Sequence, residues 1–307
     1  MREYNFYQLD VFTQKTFCGN PLAVFPEAEG LSDIEMQVIA REMNLSETVF
    51  VLPSEKALRR LRIFTLMQEL PLAGHPVVGT WNLLAQLGVT PQTENGFVEI
   101  EQELKLGVLP VEIEFRDKKP FQVVMTQGKF EAGEIVSDER EIEKLAEGLG
   151  LKVSDFDLRE DLPVQVVSTG IKALVVPLVS LEALSHCRIN SSLLSEVYLA
   201  CGAIGCYAFT FEIVEKDSRV HARFFAPDDN IAEDAATGSA AGSLSGYLVH
   251  HEAIETIEKN VRFTIEQGDF MKRPSRIFAE IKGEKGMVEK VKIGGSSIIV
   301  AKGEVFF

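Results

Sequence analysis

The sequence has few of the features that mark nucleic-acid-binding, membrane-surface or disulfide-stabilised proteins. Its 307 residues include 31 lysines and arginines against 46 aspartates and glutamates, a formal net charge of −15. This shortage of basic residues argues against binding to a phosphate backbone or to an anionic membrane surface. The four cysteines form no Cys-x-x-Cys pair and no zinc-ligand spacing. We therefore expect free thiols in a reducing, cytoplasmic environment.

Long apolar runs are also missing. The longest uncharged stretch, residues 70–93, is interrupted by Pro71, His75 and Pro76, so it is too polar and too broken for a membrane span. The first twelve residues include Arg2 and Glu3 but no apolar core of a signal peptide. These observations favour a soluble protein without a targeting segment.

Several motifs with known chemistry do not occur. The sequence contains no Gly-x-Gly-x-x-Gly, no phosphate-binding Walker loop and no His-Glu-x-x-His, and the one near match to Gly-x-Ser-x-Gly, at 242–246, has Leu244 in the middle. The His-His-Glu run at 250–252 lacks the context of a metal site. We expect no cofactor and no metal.

Short apolar or alternating segments indicate strands, and they are more numerous than helix signals. Two segments, 32–43 and 137–149, begin with acidic residues as helices do. Strands without regular alternation with helices favour an α+β fold rather than a doubly wound one. The strands are predicted at 5–12, 22–25, 48–52, 61–66, 108–115, 122–125, 173–178 and 208–213.

The chain also resembles itself. "FCGNPLAVF" (17–25) is similar to "VSTGIKALVV" (167–176), and "RIFTLMQELPLAGHPVVGTWNLL" (62–84) is similar to "RFFAPDDNIAEDAATGSAAGSLSGYL" (223–248). Repeats of this kind predict two homologous halves. We place them at 1–118 and 119–307, with the last strand allowed to return to the first domain.

Each half contains an uncharged run of helix length. No charged residue occurs between Glu69 and Glu94, or between Asp234 and Glu252. A helix without a charged face must be enclosed by protein. Each half is therefore predicted to wrap its strands around one central helix, and the small residues between 238 and 246 would let strands approach closely.

The two helix starts are candidate anion-binding sites. Gly74-His75-Pro76 and Thr237-Gly238-Ser239 occupy matching repeat positions, where unpaired amides and the helix dipole favour a carboxylate or phosphate. Proline suits the first turn because its missing N–H costs nothing there. We expect both starts to face an inter-domain cleft. The alternative is ordinary capping by Thr237 or Ser239.

Three further side chains are candidates for chemistry. His75 could donate to a substrate or relay a proton, and its position favours the neutral form. Asp234 could cap its helix or orient another group, whereas Glu233 is expected to be exposed. Glu47 precedes an apolar strand, where partial desolvation would suit it to exchange protons near neutrality.

Four segments together resemble the PhzF family of phenazine biosynthesis-like proteins: "DVFTQKTFCGNPLAVF", "NLSETVFV", "ELPLAGHPVVGT" and "EDAATGSAAG". The resemblance runs in order from Asp10 to about Gly242, with Ala235 where proline is common. It implies the fold of diaminopimelate epimerase and proline racemase: two pseudo-symmetric domains, each a mostly antiparallel sheet around a central helix.

The same resemblance implies roles for individual residues. Glu47 falls on the catalytic acid/base, and amides around Gly74 and Gly238 fall on a carboxylate-binding cradle. The epimerases of this fold use two cysteines at the helix starts, but this sequence has none there, so a two-thiol mechanism is not expected. A homodimer is expected. The catalytic set is Glu47, His75, Asp234 and Ser239, and the substrate-binding set is Asn20, Gly74, Pro76, Thr237 and Gly238.

Three functions are compatible with these residues. The leading prediction is a cofactor-independent isomerase that moves a proton on a small carboxylated metabolite, with Glu47 as acid/base in the inter-domain cleft. A second is a hydrolase with Ser239 as nucleophile, His75 as base and Asp234 as orienting group. A third is a non-enzymatic protein that binds a carboxylate.

Overall fold

The computed structural model of the chain describes residues 1–229 and 231–307, with Asp229 described by its backbone alone. Two compact units are present: residues 1–126 with 294–307, and residues 127–293. Within the described ranges, no helix has the length and apolar character needed to cross a bilayer.

The first unit contains eight strands and two helices before the chain enters the second unit. Ser32 caps α1 with a capping box, and α1 ends where Asn44 adopts a left-handed conformation, as the sequence signals predict. In chain order these elements are β1 (Glu3–Val11), β2 (Asn20–Phe25), α1 (Asp33–Met43), β3 (Thr48–Leu52), β4 (Arg59–Phe64), β5 (Glu69–Leu70), α2 (Gly74–Gln86), β6 (Gly96–Leu104), β7 (Gly107–Arg116) and β8 (Lys119–Thr126).

The second unit continues with nine strands and four helices. Asp138 caps α3, which ends at Gly150 with a positive φ. Short 3-10 turns occur at Val153–Asp155, Pro227–Asp229 and Asp269–Met271. The elements are β9 (Glu131–Ile135), α3 (Glu139–Leu149), β10 (Gln165–Ser168), β11 (Lys172–Pro177), α4 (Leu181–His186), α5 (Ser191–Cys201), β12 (Gly205–Thr210), β13 (Val220–Ala226), β14 (Ile231–Asp234), α6 (Gly238–His250), β15 (Asn260–Gln267), β16 (Ser275–Glu284) and β17 (Met287–Gly295).

Strand pairing follows the same order in both units. In the first, β1 and β2 are antiparallel, β2 and β3 parallel, β3 and β4 antiparallel, β4 and β6 parallel, and β6 and β7 antiparallel. The second unit repeats that series, with the pairs β10–β11, β11–β12, β12–β13, β13–β15 and β15–β16. The α+β fold with two pseudo-symmetric, mostly antiparallel domains is thus confirmed.

The units divide at a different residue from the predicted boundary. Strand β8 pairs with β7, with Met125 opposite Val111, so the first unit extends to Thr126 rather than ending at 118. The final strand, β18 (Ser297–Phe306), pairs antiparallel with β1 from Glu3 opposite Phe306, and it groups with the first unit.

Both uncharged runs form the enclosed helices that the sequence predicts. All residues of α2 from His75 to Ala85 are buried, as are those of α6 from Ala240 to Val249. Two of their large polar side chains have partners within the same unit: Trp81 Nε1 donates to Gln102 Oε1 at 2.7 Å, and the Tyr247 hydroxyl donates to the Pro163 carbonyl at 2.8 Å. Hydrogen bonding of this kind offsets the cost of burying polar groups.

A matched arginine–glutamate pair braces the strands before each central helix. Arg62 on β4 bonds Glu69 on β5 through two nitrogens at 2.8 and 2.9 Å, and Arg223 on β13 bonds Glu233 on β14 at 2.8 and 2.7 Å. The expectation that Glu233 is exposed is therefore wrong: the carboxylate side chain is only 17% exposed. Bidentate geometry fixes both hairpins in orientation as well as position.

Small residues on α6 allow close packing, as predicted. A Cβ at Gly246 would lie 2.2 Å from the Phe130 ring. Gly246→Ala gains helix propensity, but it forces the ring out of its place, so we expect a net destabilisation of about 1–2 kcal/mol. Urea unfolding of the variant and of the unsubstituted protein measures this loss of stability.

The control for this strain is Phe130→Ala, which removes the obstructing ring. In that background Gly246→Ala is expected to be neutral or stabilising, because only the propensity gain is left. Equal destabilisation in both backgrounds would contradict a clash with Phe130.

Candidate active site

Glu47 lies immediately before β3, with its side chain 13% exposed. Its Oε2 atom is 3.2 Å from Nε2 of His75, the second residue of α2. Strand β3 runs parallel to β2, with Thr48 opposite Ala23, and this register places Glu47 beside the start of β2. The structure thus brings together two of the predicted catalytic residues, which are 28 positions apart in the sequence.

His75 is a neutral imidazole at physiological pH. Its side chain is 8% exposed, and burial lowers its pKa to about 3. The prediction of a neutral ring is supported, although burial rather than the helix start is the dominant cause. The contact with Glu47 is therefore not an ion pair, and its N–H direction lies outside hydrogen-bonding alignment.

Asn20 selects the tautomer of that imidazole. It is buried at the start of β2, and its Nδ2 donates to His75 Nδ1 at 3.5 Å. Because Nδ1 is the acceptor, the proton of the neutral ring resides on Nε2, which faces Glu47.

Gly19 places Asn20 at this position. Its φ is +66°, and a Cβ there would lie 2.2 Å from the Val11 carbonyl oxygen. Glycine is the residue that tolerates both features. The Phe17 amide before it donates to Asp10 Oδ2 at 2.5 Å, which fixes the loop from the other side.

The nitrogens of His75 thus face Asn20 and Glu47, both in the first unit. A Ser-His-Asp hydrolase needs one nitrogen on an aspartate and the other on the serine. This arrangement favours the proton-transfer prediction over the hydrolase with Ser239 and Asp234.

The predicted residues of the second unit gather at the start of α6. Thr237 is the N-cap, Gly238 and Ser239 are the first helical residues, and Asp234 ends β14. The Thr237 hydroxyl donates to Asp234 Oδ2 at 2.5 Å. Ser239 lies inside the helix, so it does not have the N-cap position.

Neither central helix has a side-chain cap among the residues that the structure describes. Ala73 precedes α2 and cannot cap it, and the Thr237 side chain makes no capping hydrogen bond to α6. The capping alternative for Thr237 is therefore wrong, because its hydroxyl is bound to Asp234 instead. Both first turns keep the amides that favour an anion.

One residue of this loop was missed by the sequence analysis. Gln267, at the end of β15, is fully buried and bonds the backbone of Asp234 and Thr237. The signal that could have identified it is a polar residue directly before a turn glycine, Gly268.

No cluster of three or more metal-ligating side chains is found in residues 1–229 and 231–307. The expectation of a reaction without metal or cofactor stays a prediction.

Known proteins are similar to this chain over nearly its whole length. The sequence profile of the family described as "PhzC-PhzF: Phenazine biosynthesis-like protein" matches residues 9–303. A protein named "uncharacterized isomerase" from Clostridium acetobutylicum is 35% identical over 307 residues, 99% of each chain. A trans-2,3-dihydro-3-hydroxyanthranilate isomerase from Pseudomonas aeruginosa is 34% identical over 304 residues, again 99% of each.

Solved structures agree on the fold. The phenazine biosynthesis protein of the PhzF family from Bacillus anthracis superposes with a TM-score of 0.90 at 27% identity, covering 100% of both chains. A hydroxyproline epimerase from Agrobacterium vitis has a TM-score of 0.63 at 11% identity, covering 99% of this chain and 92% of its own. This second likeness shows the shared epimerase-type fold alone.

Burial of His75 predicts a specific acid sensitivity. The unfolded chain protonates this imidazole below about pH 6.5, whereas the folded chain does so only near pH 3, so stability falls as the pH falls through that window. His75→Gln is expected to make the slope of unfolding free energy against pH shallower by up to about 1.4 kcal/mol per pH unit. Urea unfolding at pH 7, 6, 5 and 4 measures the slope.

The control is His186→Gln, which removes an exposed imidazole and should leave the slope as in the unsubstituted protein. An unchanged slope in His75→Gln would show that His75 accepts a proton in the folded state.

Proposed function

The chain belongs to the PhzF family of isomerases, and we propose that it is a cofactor-independent isomerase that moves a proton on a small carboxylated metabolite, with Glu47 as acid/base. The contact between Glu47 and the neutral His75 is the observation that carries this proposal. A neutral imidazole 3.2 Å from a carboxylate leaves the carboxylate its negative charge, and therefore its basicity.

The proposed reaction neither gains nor loses a proton overall. The Glu47 carboxylate removes a proton from a substrate C–H bond, whose electrons move into the adjacent π system. The resulting carboxylic acid then returns the same proton to another carbon on the same face. Glu47 is regenerated, and no oxidant or reductant is consumed. General acid–base catalysis by one group contributes about 10²–10⁴-fold, so positioning and electrostatics must supply the remainder.

The first turn of α2 supports the charge that develops in this step. The helix starts at Gly74, directly before His75, and Pro76 in the first turn is buried without an N–H to satisfy. An uncapped helix start stabilises a nearby anion. In the proposed reaction, this helix start stabilises the negative charge that develops on the substrate when Glu47 removes the proton. Asn20 fixes the tautomer of the imidazole.

The start of α6 supplies the second set of polar groups in the proposal. The first-turn amides at Gly238, Ser239 and Ala240 would hold a substrate carboxylate, because the Thr237 hydroxyl, which could cap Ser239 or Ala240, is engaged elsewhere. The Ser239 hydroxyl and Asp234 carboxylate would bind further polar groups of the substrate. Both are binding or supporting residues in this scheme rather than a nucleophile and its partner.

The name of one relative supports a substrate class for this proposal. A relative at 34% identity carries the name trans-2,3-dihydro-3-hydroxyanthranilate isomerase, and this compound is a cyclic carboxylate with hydrogens on carbons next to a π system. We propose a substrate of that chemical class and take this compound as the first to test. A cytoplasmic location and a homodimeric state stay predictions from the sequence.

Glu47→Gln tests the acid/base directly. Removing the carboxylate should lower kcat by at least about 10²-fold with little change in KM, because the group acts on the proton rather than on binding. Deuterium incorporation from D₂O into the product, followed by mass spectrometry, should fall in parallel.

Glu42→Gln is the matched control, since Glu42 is an exposed glutamate on α1. This variant should incorporate deuterium into the product at the normal rate. Deuterium incorporation by Glu47→Gln at the normal rate would rule out Glu47 as the shuttle.

Asn20→Asp tests the tautomer. A carboxylate at this position accepts a hydrogen bond from Nδ1–H, so it would favour the tautomer whose Nε2 lone pair faces Glu47, or it would hold the ring in its charged form. In the first state the lone pair repels the Glu47 carboxylate and favours its protonated form, which cannot accept a proton. In the second state the positive charge weakens the carboxylate as a base, so in both cases kcat should fall about 10–100-fold and its pH dependence should shift. Steady-state kinetics from pH 5 to 9 measures both.

Asn5→Asp introduces the same charge at an exposed site on β1 and should leave the profile unchanged. A normal profile for Asn20→Asp would remove Asn20 from the mechanism.

A further inference from the structure

The start of α6 contains a residue that normally caps a helix but does not cap this one. Threonine at the N-cap usually accepts a hydrogen bond from the second or third amide of the helix. Here Thr237 occupies that position, and its hydroxyl instead donates to Asp234 Oδ2 at 2.5 Å. Some other group must hold the hydroxyl away from the amides.

Gln267 is that group. Its Nε2 donates to Thr237 Oγ1 at 3.1 Å and to the Asp234 carbonyl at 2.8 Å, and its Oε1 accepts from the Thr237 amide at 3.1 Å. The Tyr207 hydroxyl also donates to Oε1, at 2.8 Å. All four hydrogen-bonding positions of the buried amide are thus used.

The direction of these bonds determines where the Thr237 hydrogen points. Because Oγ1 accepts from Gln267, its single hydrogen is left for the Asp234 carboxylate. Tyr207 and Gln267 are both fully buried, so the amide cannot turn without losing partners that water would not replace.

The chain after Gln267 supports the same loop. A Cβ at Gly268, whose φ is +82°, would lie 2.4 Å from the Arg273 carbonyl oxygen and 2.5 Å from the Ala235 carbonyl oxygen. The Ser275 hydroxyl, also fully buried, donates to that Ala235 carbonyl at 2.8 Å. Residues 267–275 therefore hold residues 234–237 from one side.

We propose that Gln267 is a positioning residue that keeps the first turn of α6 open for an anionic group of the substrate. It does so by holding the Thr237 hydroxyl on Asp234 and off the helix amides. The identity of the anion, a carboxylate, rests on the proposed function, but the open helix turn does not.

Amide hydrogen exchange, resolved by residue with NMR, tests the inference without any ligand. In Gln267→Met, which keeps the side-chain length, Thr237 is released to cap. The amides of Ser239 and Ala240 should then exchange at least about fivefold more slowly, while the Thr237 amide, having lost its acceptor, should exchange faster. A residue that merely supports the fold would speed exchange at all three positions.

Two further variants make this result specific. Gln267→Met combined with Thr237→Val has no hydroxyl, so slow exchange at Ser239 and Ala240 should disappear. Gln102→Met removes a buried glutamine of the first unit that accepts from Trp81 and should leave these amides unchanged. If Gln267→Met does not fold, Tyr207→Phe loosens the same amide and should give the same signs with smaller amplitude. Uniformly faster exchange would overturn the inference.

Ligand binding gives a second readout. The probes are 3-hydroxyanthranilate, an aromatic analogue of the substrate named for a relative, and 2-aminophenol, the same ring without the carboxylate. Calorimetry should show that the unsubstituted chain prefers the carboxylate. In Gln267→Met this preference should fall by at least about fivefold, because the anion must displace a cap, whereas Gln102→Met should keep it.

The outcomes separate the two proposals. An unsubstituted chain that does not prefer the carboxylate contradicts the proposed function, and the exchange experiment still decides the role of Gln267. An unsubstituted chain that prefers it, together with a Gln267→Met variant that keeps the full preference, overturns the positioning role alone.

Discussion

Enclosing an uncharged helix within each unit is the constraint on which the rest of the structure depends. Such a helix can meet ionic or strongly polar ligands only at its ends, since its sides are packed against strands. Two large polar residues on these helices, Trp81 and Tyr247, accordingly find hydrogen-bond partners inside their own unit. The uncapped starts at Gly74 and Gly238 keep amides oriented for an anion.

The chemistry at the first start depends on burial. Desolvation keeps His75 neutral, and Asn20 decides which nitrogen carries its proton. The neutral ring then lies 3.2 Å from the Glu47 carboxylate without pairing with it as an ion. A charged imidazole in the same place would stabilise the carboxylate and weaken it as a base. In the proposed reaction, the burial that excludes water from α2 therefore also keeps Glu47 available as a base.

The second start depends on hydrogen bonds rather than on burial of a titrating group. Asp234 and Thr237 are held by Gln267, and their neighbours are held by Gly268 and Ser275. Beside them, the Arg223–Glu233 pair fixes β14, as Arg62–Glu69 fixes β5 in the first unit. The two units therefore share the helix and the brace before it, although the polar residues around each helix start differ.

Local signals in the sequence predicted four of the helices in the described ranges, the repeat and the candidate site residues. Charge-free runs predicted α2 and α6, capping residues predicted α1 and α3, and the quoted motifs identified Glu47, His75, Asp234 and Ser239 as candidates. The sequence was insufficient in three places. Glu233 was predicted to be exposed, the domain boundary was predicted at 118, and Gln267 was not predicted at all. Those features arise when strand register brings together side chains far apart in the chain, such as Tyr207 and Gln267. Only the tertiary structure decides which hydroxyl caps a helix and which is held away from it, because both choices satisfy the same local sequence.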